Sequence, residues 1–329
     1  MVDGVDQTAT ASRDATIEEK ITRGMDLQGY DLIVAASSGS FTYLTGAVLP
    51  FAPNYPNRRV LAARTQSGDV YTICPVDWAE AVSIQRTDST VIVYSEAAEE
   101  VDQACANLLV KLLADVLPNP VRVGLEYGGV TQRFLEVLGN TKRTIEFSAC
   151  DAWLMELRSI KTAAEIALIE RAVRQSDIGI LFALQHMEGS QADSGYTLAE
   201  FSERIRVHVY ESGGSGVGHM AVLQGEDTRL RYVLPRRSFV SGNLIRMEVT
   251  NHLQGYWSNM CRMGVIGSPS QRQTVSYQKN LVLKNAALDM LKPGTKCSAV
   301  YATVLATARN ERIEFWAKSG AGYGIDCTR

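Results

Sequence analysis

The chain has 329 residues, of which 46% are apolar and 21% charged, and its formal net charge is −3. That length is enough for two hydrophobic cores, and the composition is that of a globular protein, not a disordered or fibrous one. The near-neutral charge, without a basic run or basic amphipathic helix, excludes electrostatic attraction to nucleic acid or anionic lipid.

Residues 1–14 are small and polar with no apolar core, so they read as a flexible tail and not as a signal peptide. No stretch approaches the ~18 consecutive apolar residues of a membrane span. No membrane association and a cytoplasmic location are expected. The 6 cysteines lack a CxxC pair and read as reduced thiols that serve packing.

From Thr16 onward short β-rich runs alternate with helical patterns, the signature of an α/β domain. Strands are predicted at Asp31–Ala36, Arg59–Arg64, Asp69–Cys74, Thr90–Tyr94, Val121–Glu126 and Thr144–Phe147. Helices are predicted at Thr16–Leu27, Val76–Ile84, Ala97–Leu117 and Thr131–Leu138. In the third of these, Val101, Ala104, Leu108, Leu112 and Leu113 recur at helical spacing and give it one buried face. This domain, residues 15–150, is followed by a hinge over 151–162 and a second domain over 163–329.

The second domain opens with a long helix from Ala163 to about His186, and another helix spans Leu198–Tyr210. The glycine-rich stretch Gly213 to Gly218 has neither a preceding strand nor a following helix, so it reads as a mobile connector and not a phosphate loop. Strands follow at Leu244–Thr250 and Gln254–Val265, with a hairpin turn between them that holds His252. Helices at Ser270–Met290 and Cys297–Asn310 flank a turn at Pro293-Gly294.

Four stretches, in this order, resemble the creatinase, prolidase and Xaa-Pro aminopeptidase family. They are Gly29 to Val34 with Phe41-Thr42-Tyr43-Leu44-Thr45-Gly46, Leu157-Arg158-Ser159-Ile160-Lys161 through Ile166, Gly255-Tyr256-Trp257-Ser258-Asn259-Met260-Cys261-Arg262, and Leu291-Lys292-Pro293-Gly294. The resemblance implies an α/β N-terminal domain of the creatinase type. It also implies an α+β "pita-bread" domain, methionine aminopeptidase-like, in which a curved antiparallel sheet is covered by helices. The chain ends before the family's final segment, so the resemblance further implies a domain without its last strands, or a fragment.

Metallopeptidase members hold two metal ions with two aspartates, a histidine and two glutamates. Residue by residue, the aspartate positions fall on Glu248 and Asn259, and the histidine position falls on Ala321 within Gly320 to Gly324. An upstream histidine position falls on Arg231 or, one residue later, Tyr232. With a carboxamide and a methyl group where anionic and imidazole ligands belong, neither a metal site nor any other cofactor is expected.

The expected function is therefore a metal-independent, creatinase-like hydrolase of a C–N bond in a small carboxylate-bearing substrate. The alternatives are a catalytically inactive pita-bread binding module and a divergent Xaa-Pro dipeptidase or aminopeptidase. Glu248 and His219 are the candidate acid/base residues. Arg58, Arg59, Arg231, Tyr232, Tyr256, Asn259 and Arg262 are the candidate substrate-binding residues. Arg58 and Arg59 resemble the basic pair that creatinase-type proteins extend into a neighbouring subunit to grip a carboxylate, which implies a homodimer.

Overall fold

A computed structural model describes residues 15–49, 58–97, 99–117, 121–141, 144–189, 196–230, 237–315 and 324–327. The proposed tail, the loop Pro50–Asn57, Arg231, Tyr232 and the segment 320–323 lie outside these described residues. Two compact units form. One comprises Met1–Ala172, His252–Ser258 and Ile325–Arg329, and the other Val173–Asn251 and Asn259–Gly324.

The first unit is built on strands β1 (Leu32–Ala35), β2 (Leu61–Thr65), β3 (Val70–Pro75), β4 (Thr90–Tyr94), β5 (Val121–Leu125) and β6 (Ile145–Ala149). They form one mixed sheet in the order β4-β3-β2-β1-β5-β6. β1 runs antiparallel to β2 and parallel to β5. Its four residues are all apolar because helices cover both faces of the sheet. Leu32 and Val34 join a core with Leu109, Leu113 and Phe134, from helices α4 (Val101–Val116) and α5 (Gln132–Gly139). Ile33 and Ala35 join the opposite core with Ile21 and Met25 of α1 (Ala15–Gln28) and Phe41 of α2 (Ser38–Thr45).

Helix α2 was not expected from the sequence. It occupies the motif through Thr45, and its ends explain it: the Ser37 side chain accepts from the Ser40 N–H, and Gly46 closes the helix at φ 74°. A buried carboxylate organises this corner. Glu126 accepts from the Ala36 N–H at 2.8 Å, the Ser37 N–H at 2.7 Å and the Ser40 hydroxyl at 2.6 Å. Arg158 donates to the same hydroxyl and pairs with Asp326 at 3.3 Å. The expected hinge over 151–162 is largely helical, as α6 (Asp151–Ser159), and Arg158 is one of its buried residues.

Helix α3 (Ala79–Gln85) completes the first unit, and α7 (Ala163–Gly189) begins there. The second unit adds α8 (Leu198–Glu211) and strands β7 (Gly216–Gln224), β8 (Leu244–Leu253), β9 (Tyr256–Trp257) and β10 (Met260–Val265), of which β9 and the last two residues of β8 group with the first unit. The sheet order is β10-β8-β7, with β9 paired to the end of β8. Ile245, Met247 and Val249 alternate along β8 onto one face, where Ile180 and Ala183 of α7 and Phe201, Ile205 and Val209 of α8 bury them. Helices α9 (Gln271–Met290) and α10 (Cys297–Asn310) pack together around Leu283, Val304 and Ala308.

Two sequence expectations need correction here. The glycine-rich connector is instead the exit from α8 and the start of β7: Gly213 takes φ +85°, and Gly216 through Gly218 are already in the strand. His252 is not in a solvated turn. It lies within β8, is 7% exposed and packs against Trp257 with ring centroids 4.7 Å apart. The turn is one step later, where Gln254 and Gly255 both take positive φ, 50° and 83°, between the paired residues Leu253 and Tyr256. Two such residues are what a two-residue hairpin with right-handed strand twist requires.

Candidate functional site

One face of β8 carries Ile245, Met247 and Val249 into the helix-covered core, so the intervening residues Arg246 and Glu248 stand on the other face. Strand β10 pairs antiparallel with β8 and sets Cys261 opposite Glu248, and Met263 opposite Arg246. These four side chains form a partly open cluster. The nearest approach of the Arg246 and Glu248 charges is 3.8 Å between Nη2 and Oε2. Arg246 Nη2 also donates to the Leu230 carbonyl at 2.7 Å. Desolvation, and then the negative charge of Glu248, push the Cys261 thiol above its ordinary value, so it is neutral near pH 7.

Thr250 is next on the Glu248 side of the strand. Its hydroxyl accepts from the His219 N–H at 2.6 Å and donates to the His219 carbonyl at 3.1 Å. The backbone of β7 at His219 is thereby fixed beside β8. Asn259 immediately precedes β10, whose first residue pairs with Val249.

Other sequence candidates are placed elsewhere. Arg262 is opposite Met247 and so alternates away from Glu248, and it pairs with Asp177 of α7 at 2.8 Å. Arg58 is held by Asp77 at 2.7 Å and Glu96 at 2.9 Å, and Arg59 by Asp102 at 2.8 Å, all within the first unit. Tyr256 groups with the first unit. It is 7% exposed in the first unit's core, and its hydroxyl donates to Glu165 Oε1 at 3.1 Å. Burial, then the neighbouring Cys327 and Glu165, push its phenol well above the ordinary value, so it keeps the proton it donates to Glu165. Glu165 in turn accepts from the Thr162 N–H at 2.7 Å and caps the start of α7.

Sequence reasoning missed Arg246 as a site residue. The signal was available in the alternation of the strand, which puts residues i and i+2 on one face, but it depended on knowing which face the helices cover.

Among the described residues, the donors on the Glu248 face are one carboxylate, one thiol and one guanidinium, and Asn259 adds a neutral carboxamide. Hard divalent ions need several anionic oxygen or imidazole ligands, and a guanidinium beside the lone carboxylate opposes a cation. Among the described residues no three His, Cys, Asp or Glu side chains gather to hold a metal ion. The residues present on this face do not fit a pair of metal ions.

The architecture and site define a two-part protein, a mixed α/β domain followed by a helix-covered antiparallel sheet. Two family models match the chain, one after the other. Residues 19–160 match the Creatinase/Prolidase N-terminal domain, and residues 167–328 match metallopeptidase family M24. The chain belongs to the creatinase/prolidase family, whose catalytic domain is the pita-bread fold. Similar relatives include an uncharacterised hydrolase/peptidase of Sinorhizobium fredii, 22% identical over 300 residues, which span 90% of this chain and 76% of the relative. A Xaa-Pro dipeptidase of Pyrococcus horikoshii is 22% identical over 278 residues, 84% of this chain and 71% of the relative. The structure of an X-Pro aminopeptidase from Thermotoga maritima superposes with a TM-score of 0.80 at 17% identity, covering 94% of this chain and 82% of that one. Among the described residues, no helix is long and apolar enough to cross a membrane.

Proposed function

We propose that this protein is a hydrolase of a C–N bond in a small, carboxylate-bearing substrate, and that it works without a dinuclear metal centre. The family membership supports the hydrolase class. The observation that carries the finer reading is the donor set around Glu248, in which a guanidinium and a thiol are the neighbours of the carboxylate and Asn259, a neutral carboxamide, falls at the second aspartate position. In this reading Glu248 accepts a proton from the attacking water as the hydroxyl adds to carbon, and that proton passes to the nitrogen as the C–N bond breaks. Glu248 is partly exposed, which gives water access to the carboxylate. His219 remains a second candidate for the proton transfer to the leaving nitrogen.

A second reading is a divergent Xaa-Pro dipeptidase, favoured by the relative of that name in Pyrococcus horikoshii. The two separate on metal dependence. Creatine and glycyl-proline are incubated with protein pretreated with a chelator, with and without added manganese or cobalt, and C–N cleavage is followed by release of amine. Turnover that survives chelation and is abolished by Glu248→Gln supports the proposal. Turnover of glycyl-proline only after metal is restored overturns it in favour of the dipeptidase. Saturable ligand binding with no turnover in either condition overturns both and leaves a binding module.

A further inference from the structure

Four of the six residues from Gly213 to Gly218 are glycine, a composition that by itself leaves the chain free to wander. Two consecutive residues of β8 hold this stretch, one at either end. Asn251, which is fully buried, donates through Nδ2 to Gln175 Oε1 at 2.9 Å, and Gln175 Nε2 donates to the Ser212 carbonyl at 2.9 Å, where α8 ends. A Cβ at Gly214 would meet Asn251 Oδ1 at 2.9 Å, so the close approach there needs glycine. Thr250, 3% exposed, uses one hydroxyl for both main-chain groups of His219, accepting from its N–H at 2.6 Å and donating to its carbonyl at 3.1 Å. The hydroxyl thus does for His219 what a paired strand residue does in a ladder. Met220 and Val222 turn into the helix-covered core, so His219 stands on the other face of the sheet, the one that carries Glu248. Glu248 lies two residues along β8 from Thr250, a step of about 7 Å.

We propose that Thr250 is a positioning residue of this site, whose hydroxyl sets His219 in place to protonate the leaving nitrogen while Glu248 takes the proton from water. The inference rests on the reading of the Glu248 face as the site. It gives the acid role to a histidine on β7 and not to the position, Arg231 or Tyr232, at which the family's histidine falls. A base and an acid set one strand across and about 7 Å along from each other leave room for one small group between them. The protons balance. Glu248 gains one from the water whose hydroxyl bonds to carbon, protonated His219 gives one to nitrogen as the C–N bond breaks, and the proton on Glu248 then returns to His219 through solvent. Two hydrogen bonds from one buried side chain fix the His219 main chain both along the strand and across it. Such geometry needs that tolerance, because a misplacement of about 1 Å can cost about 100-fold in rate.

The test follows the His219 Cε1–H resonance of the full chain, assigned from His219→Gln, in two variants. Thr250→Val keeps the shape and loses the hydroxyl, and Thr250→Ser keeps the hydroxyl. In Thr250→Val the His219 resonance is expected to move while those of His186, His208 and His252 stay. Turnover of whichever of creatine and glycyl-proline is cleaved should fall roughly 10- to 100-fold in kcat with KM unchanged. Thr250→Ser should restore both. An unmoved His219 resonance in Thr250→Val, or a moved one with kcat at the wild-type level, overturns the inference. Movement of all four histidine resonances together marks a general loss of packing and overturns it as well. Hydrogen exchange of the wild-type chain decides even where Thr250→Val fails to fold: the His219 amide should be protected although Gly218 beside it is exposed, and exchange at the rate of an unstructured amide overturns the inference. Neither spectroscopic measurement needs turnover. A wild-type protein that cleaves neither substrate therefore removes the proposed activity, while the resonance and the exchange still decide whether Thr250 holds His219.

Discussion

Replacing Tyr256 by Phe separates a frame residue from a substrate-binding one. The structure buries the phenol, and its hydroxyl makes a 3.1 Å hydrogen bond to Glu165, a carboxyl group that is 1% exposed. The ring is retained in Tyr256→Phe, so no cavity forms beyond the lost oxygen, and the cost is that of leaving Glu165 short of one donor. Such bonds contribute about 1 kcal/mol between neutral groups and up to about 3 kcal/mol with a charged acceptor, so a loss of roughly 1–3 kcal/mol is expected. For a unit of this size that lowers the melting temperature by roughly 2–12 °C. Three of the 4 tryptophans, Trp78, Trp153 and Trp257, belong to the first unit, so tryptophan fluorescence in a urea titration of a Trp316→Phe background reports on the affected structure. Creatine binding should stay at the wild-type level. A stability change below about 0.5 kcal/mol together with lost ligand binding would refute the reasoning and return Tyr256 to the site.

Desolvation lowers the pKa of His252, whose buried Nδ1 has no hydrogen-bond partner among the described residues. The unfolded chain then binds more protons, so the His252 contribution is fully present above the unfolded value near ~6.5 and is lost as pH falls through it toward the lowered folded value. His252→Phe should flatten the loss of urea stability between about pH 7 and 5; an unchanged slope would contradict this burial. Gln254 sits at φ 50°, so Gln254→Gly should stabilise the hairpin by about 0.5–1 kcal/mol, whereas a loss of stability would mean that its side chain contributes more than the strain costs. Gly255→Ala should do the reverse, because a Cβ there meets Thr42 Cγ2 at 2.9 Å; a neutral result would reject the close approach. Cys261 and Cys297 are exposed, and Cys74, Cys105, Cys150 and Cys327 are buried, with burial pushing Cys74, Cys105 and Cys327 up to about 12. A thiol reagent should therefore label Cys297 fastest, Cys261 more slowly because its thiol is held above its ordinary value, and the other four only on unfolding, and fast labelling of Cys327 would contradict its placement.

Much of the frame was legible in the sequence because it follows from local rules. The continuous apolar run Leu32 to Ala35 marks a strand buried on both faces, the helical spacing in Val101–Val116 marks its covering helix, and Ser270 with Gln273 marks a capped helix start. The family motifs were legible too, as an ordered set. Helix α2 and the buried Arg158 were not, because their stability comes from Glu126 and Asp326, residues 86 or more positions away in sequence. The site was half legible. Glu248 stood out as a carboxylate in an apolar strand, but sequence position alone counted Arg262 and Tyr256, and not Arg246, among the site residues. The sequence by itself determined which residues are charged and which segments are strands. Only tertiary structure decided which of them share a face, because side chains alternate with a period of two and strand register, set by the helices that cover one side, chooses between Arg246 and Arg262 as the neighbour of Glu248.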